Sequence, residues 1–154
     1  FRARWITLFK KLSDGYLYVE NNESFPFITN MQHYEVCRSN GSIRNHNLNF
    51  KVIHQSWARS EDEIYFKINN WGHCDDFDTQ RYFEFWKSLN STNYKECKNI
   101  HPLSPEVWNE LHFLQSSSID EFIEKYKLNN KQVLIPIDNK KIIKAAIKKL
   151  ICRE

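Results

Sequence analysis

The chain opens with Phe1-Arg-Ala-Arg-Trp5-Ile-Thr-Leu8 and, after Asp14-Gly15, continues as Tyr16-Leu-Tyr18-Val19-Glu20. The first stretch mixes cations with Trp5, Ile6 and Leu8, and the second is aromatic and β-branched, the composition of strands that pack one face and wet the other. Asp14-Gly15 is a turn signal between them. Side chains alternate across a strand, so Arg2 and Arg4 project from one face. Far downstream, Tyr82-Phe-Glu-Phe85-Trp86-Lys-Ser-Leu89 places Tyr82, Phe85, Trp86 and Leu89 at helical spacing behind Asp78, a residue suited to an N-cap. Together these segments predict an α+β chain with a strand hairpin first and a helix centred on Trp86 downstream.

Further strands are predicted over residues 25–31, 33–38, 49–55 and 63–69, the last because Ile64, Phe66 and Ile68 alternate with Tyr65 and Lys67. Ser39-Asn-Gly41 marks a loop running to Asn47. The second half favours helices. One is predicted over 78–90. Another starts at Ser104-Pro105, a serine N-cap followed by proline at the first helical position, with Val107, Trp108, Leu111 and Leu114 along one stripe. Ser118-Ile-Asp-Glu121 is a capping box opening a helix to about residue 128. Pro136 limits residues 133–137 to an edge strand. A last helix over 139–152 sets Ile142, Ile143, Ala146, Ile147 and Leu150 against a lysine-rich outer face.

The order Arg2-Ala-Arg-Trp-Ile-Thr-Leu8, Gly15-Tyr-Leu-Tyr-Val19, then a helix with Trp86 and Leu89 three residues on, resembles the pleckstrin-homology (PH) family over residues 1–92. The resemblance implies an antiparallel PH-like β-sandwich or barrel capped by its C-terminal helix. Glu35-Val-Cys-Arg38, Asn49-Phe-Lys-Val52 and Ile64-Tyr-Phe-Lys-Ile68 would supply later strands, and the first strand would precede Phe1, making the chain a piece of a larger protein. Residues 93–154 would then be a helical extension or the start of a neighbouring domain. A longer turn after Leu8 and a charged stretch over 56–62 depart from the family's pattern. The resemblance also implies a non-catalytic module that recruits its parent protein to phosphoinositide-containing membranes or docks it on a protein partner. Arg2 and Arg4 are the implied phosphate ligands, a role that paired guanidiniums on one strand face suit chemically. Lys10, Lys11 and Tyr18 are secondary candidates.

Composition sets the outer bounds. In 154 residues, 41% hydrophobic with 15% aromatic, there is material for a real core, and only three glycines and four prolines argue against a disordered chain. A net charge of +3 permits an anionic partner without the strong basicity of a wholesale nucleic-acid binder. Cys37, Cys74, Cys97 and Cys152 lie far apart with no C-x-x-C pair. Asn-x-Ser/Thr triplets at Asn22, Asn40 and Asn90 arise by chance in a chain this rich in those residues. With no signal-peptide pattern and no apolar run of spanning length, free thiols and a cytoplasmic, peripheral-membrane location are expected.

Other chemistries read less well. Cys74, Cys97 and His101, with Cys37 or His73, offer zinc-competent ligands, but only Cys97-x-x-x-His101 has local ligand spacing, so no metal is expected. His73-Cys74 with Arg81 lacks the five-residue loop of a phosphatase and carries Asp75, Asp76 and Asp78, which would repel phosphate and raise the thiol pKa. Glu96-Cys-Lys98 with Asp78 is too loose a nuclease pattern. No cofactor or catalytic residue is therefore expected. The alternative function is a single-stranded nucleic-acid-binding domain that uses the basic and aromatic strand residues for phosphate contact and base stacking.

Overall fold

In the computed structural model, which describes residues 1–28 and 46–129, the opening stretch is β1 (Arg2–Lys11), followed by β2 (Gly15–Pro26). They pair antiparallel about the Asp14-Gly15 turn. After residues 29–45 come β3 (Asn47–His54), α1 (Glu61–Asn69), α2 (Thr79–Ser88), β4 (His112–Gln115) and α3 (Ile119–Asn129). The sheet order is β3-β1-β2-β4. The protein is α+β, with helices over an open sheet whose central pairings are antiparallel. β3 departs from that pattern and runs parallel to β1.

Alternation along β1 divides the core between the two faces of the sheet. Phe9, with Leu17 and Val19 of β2, packs against Trp57, Ile64, Ile68, Phe83 and Trp86 beneath α1 and α2. Ile6, Leu8 and Tyr16 pack on the other side against Phe122 and Tyr126 of α3. Trp86 is 2% exposed, and its indole N–H donates to the Phe9 carbonyl at 2.9 Å. This satisfies the ring's only polar atom while burying the rest. α2 begins where the sequence predicts, the Asp78 carboxylate accepting from the Arg81 amide at 2.9 Å. α3 likewise opens at Ser118, whose hydroxyl accepts from the Glu121 amide.

Two elements correct the sequence reading. Residues 63–69, expected as a strand, lie in α1. Ile64 and Ile68 are fully buried, whereas Phe66 is 68% exposed, so the apolar face runs i, i+4 rather than i, i+2. Ser60 and Glu63 form a complete capping box, and this fixes the helix start. The helix expected from Ser104 is a single 3-10 turn, Pro105–Val107, and Ser104 provides no side-chain cap. Instead the His101 imidazole Nδ1 accepts from the Leu103 and Ser104 amides at 3.2 and 2.9 Å, holding this stretch as a loop. Trp108 and Leu111 still enter the core, and the chain then becomes β4. β4 pairs with β2, so the described residues beyond 92 complete the same sheet and core. The strand expected over 33–38, the edge strand over 133–137 and the helix over 139–152 lie outside the described residues.

Candidate functional site

Arg2 and Arg4 extend the row of Ile6 and Leu8 on β1, past the part of that face covered by Phe122 and Tyr126. Both line a cleft of about 330 Å³ shared with Ser24 of β2 and Asn47, Asn49 and Lys51 of β3. Arg4 is exposed and its guanidinium has no partner among the described residues. Arg2 is half-buried and oriented by Ser24, donating from Nε to the hydroxyl at 2.9 Å and from Nη2 to the carbonyl oxygen.

Lys51, paired in register with Arg4, is the cation that the sequence reading missed. Only its parallel pairing with β1 reveals it, and no local motif announces that pairing. Its ammonium donates to the Glu20 carboxylate at 2.7 Å and to the Tyr126 hydroxyl at 2.5 Å, while Tyr126 donates to the other Glu20 oxygen at 2.7 Å. Burial pushes the Glu20 pKa up, but the Lys51 and Tyr126 hydrogen bonds outweigh it, and the carboxyl ends below its usual range. Lys51 is thus positioned by a network, with one of the cleft's three cations partly neutralised.

The remaining expected ligands go elsewhere. A register shift between Leu8 and Lys10 in the β1–β2 pairing marks a bulge that sets Lys10 opposite Leu17, on the α2 side. There its ammonium donates to the carbonyls of Trp86, Lys87 and Leu89 at 2.8, 2.7 and 2.8 Å. Lys10 closes the C-terminal end of α2, which leaves carbonyls without helical partners. Lys11 is exposed at the strand end. The Tyr18 ring stands edge-on to Phe122 and Tyr126 at 5.2 and 5.8 Å, and burial pushes its phenol up to about 12. The structure therefore brings Arg2 and Arg4 together and separates Lys10 and Tyr18 from them.

Beside the basic cleft is a cluster of rings. Phe27 and Phe50 meet edge-to-face at 5.3 Å, and both are exposed, as is Phe1. Trp5 is sandwiched between Phe25 at 4.5 Å and His54 at 5.0 Å. The cleft accordingly combines two guanidiniums, an ammonium, amide side chains and an aromatic rim, groups able to bind an anionic headgroup or a phosphodiester.

Among the described residues no group of three metal-competent side chains assembles. Cys97 lies near the Asn93 carbonyl at 3.7 Å, and His101 is occupied by its loop and by the Trp108 ring, 4.4 Å away. Cys74 is a free thiol, and His73 pairs with Asp76 at 2.7 Å. Comparison with protein-family models, curated proteins and solved structures finds no match to this chain.

Proposed function

We propose that this domain recruits its parent protein to an anionic, phosphoinositide-containing membrane through the Arg2–Arg4–Lys51 cleft, a PH-like binding role in which that cleft itself performs no catalysis. The observation that carries the reading is the meeting of those three cations in one cleft, with Arg4 unpaired among the described residues. The hairpin and the Trp86 helix over its sheet support the PH-like part of the proposal, and the parallel β3 and helical α1 depart from it. The exposed Phe27 and Phe50 rings suit a peripheral membrane surface. No helix among the described residues is long and apolar enough to cross a membrane.

The test is sedimentation with vesicles carrying a phosphoinositide, compared with neutral vesicles and with vesicles of equal charge made with phosphatidylserine. Phosphoinositide-dependent binding that falls at least about tenfold in Arg4→Glu is expected, since each lost charge-assisted contact is worth roughly 1.5–3 kcal/mol. Absence of binding by the folded wild-type protein sinks the lipid reading in favour of docking on a protein partner. A second reading draws on the same Phe27 and Phe50 rings beside guanidiniums, which offer stacking surfaces to a single nucleic-acid strand. Salt-sensitive oligonucleotide binding lost in Phe50→Ala would favour it.

A further inference from the structure

β3 ends at His54, at the opposite end from the basic cleft, and the chain turns through Ser56 before α1. A second cleft opens here, about 840 Å³, lined by His54, Ser56, Arg59, Phe66, Lys67 and Trp71. Lys67 rises from α1 and places its ammonium nitrogen 2.6 Å from the Ser56 hydroxyl and 2.9 Å from the Ser56 carbonyl. Its third side is closed by the Trp57 ring, whose centroid is 4.2 Å away. A hydroxyl within hydrogen-bond reach of a base, and that base oriented by further groups, is the arrangement of an activated nucleophile.

We propose that Ser56 and Lys67 form a nucleophile–base pair that accepts an acyl group from an activated carboxylic ester. The neutral amine takes the hydroxyl proton as Ser56 Oγ bonds to the ester carbonyl carbon. Collapse of the tetrahedral adduct breaks the carbon–oxygen bond to the leaving group, which departs with the proton from Lys67. In the second half-reaction water gives a proton to the same amine and bonds to the acyl carbon, the carbon–Oγ bond breaks, the carboxylic acid leaves, and Lys67 returns the proton to the serine oxygen. Phe66 and Trp71 offer apolar surface for the acyl donor, and Arg59 offers a cation for an acidic one.

Electrostatics suits the base role. Burial, with a smaller push from Arg59, lowers Lys67 to about 8, so roughly a tenth of the amine is free at neutrality and half near pH 8. The other titratable groups facing the cleft are His54, Asp62 and Glu63, and Glu63 is occupied by the Ser60 cap and by Arg59 at 3.7 Å.

The experiment incubates the full chain with p-nitrophenyl acetate and, separately, with a fluorophosphonate, following adducts by intact mass and peptide mapping between pH 6 and 10. One adduct at Ser56 is expected, forming at a rate that rises with pH and levels off above about 8. Ser56→Ala should abolish it, and Lys67→Met should slow it on the order of 100-fold or more. Ser56→Ala loses one hydroxyl at a half-exposed turn, so it keeps the test readable if Lys67→Met fails to fold. An unmodified wild-type Ser56, an adduct that survives Ser56→Ala, or a rate with no inflection near pH 8 would each overturn the pair's assignment.

Discussion

Replacing Lys10 with methionine separates the ligand role expected of it from the sequence from the helix-capping role the structure gives it. Methionine keeps most of the apolar stem and deletes the ammonium. The change leaves the carbonyls of Trp86, Lys87 and Leu89, now at 2.7–2.8 Å from the charge, without their donor. Hydrogen bonds to a charged group contribute about 1.5–3 kcal/mol each in favourable cases, and a cation at a helix C-terminus adds up to about 1 kcal/mol. The gain is not additive here. Burial lowers the Lys10 pKa, so the ammonium already bears a desolvation cost, and the Lys87 carbonyl is reached by water when the lysine leaves. A net loss of about 2–3 kcal/mol follows. With a urea slope of roughly 2 kcal/mol/M, the unfolding midpoint should fall by about 1–1.5 M at unchanged slope. Vesicle binding of the folded variant should equal that of wild type, whereas Arg4→Glu should do the reverse, keeping stability and losing binding. A midpoint shift below about 0.3 M, or loss of vesicle binding by a stable Lys10→Met protein, would refute the capping argument and return Lys10 to the ligand set.

Two further outcomes test other parts of the fold. A Cβ at Gly15 would meet the Leu114 carbonyl oxygen at 2.5 Å and the Phe113 ring at 2.7 Å, so Gly15→Ala must push β4 off β2, at a cost of about 1–3 kcal/mol in urea unfolding. Glu20→Gln should destabilise by about 1 kcal/mol at neutral pH, since it removes the Lys51 ion pair at a partly exposed site. The Glu20 carboxyl is depressed below its usual value in the fold, so its contribution is present above about pH 4.5 and is lost as pH falls through the folded value. The gap between wild type and Glu20→Gln should therefore shrink as pH falls below about 4.5, and a constant gap would place the stabilisation elsewhere.

Legibility in the sequence tracked whether a signal was local. The hairpin, α2 and α3 each announce themselves within a few residues, through Asp14-Gly15, Asp78 and Ser118-x-x-Glu121. At residues 61–69 two local signals compete. Ile64, Phe66 and Ile68 satisfy a period of two, yet Ile64 and Ile68 also satisfy i, i+4, and the Ser60–Glu63 capping box settles the question for helix. Around Ser104 the failure runs the other way. Trp108 and Leu111 are both buried at helical spacing, but they are carried on a loop pinned by His101, a residue outside the motif. The candidate site was half legible for the same reason. Arg2 and Arg4 follow from alternation along one strand, whereas Lys51 enters through a parallel pairing across 29–45, and Lys10 leaves through a bulge that no composition rule locates.

Those irregularities explain why the cleft lies where it does. A regular ladder spaces strands about 4.8 Å apart and leaves no room for a ligand between them. β1 is regularly paired through its centre, but near the arginines both of its neighbours slip. The β1–β3 register shifts between Arg2 and Arg4, and the β1–β2 register shifts between Arg4 and Ile6. The extra residues lie in the neighbours, β3 between Asn47 and Lys51 and β2 between Glu20 and Ser24, so both flanking strands bulge beside Arg4, as bulges do near binding sites. Trp5, at the second slip, is held between Phe25 and His54, and nearby Thr7 and Asn21 share a buried 3.2 Å hydrogen bond on the face turned from the arginines. The aromatic stack thus fixes the back of the distorted segment while its front opens into the basic cleft. On this account the arginines depend on Trp5 for their geometry, although the indole faces away from any ligand.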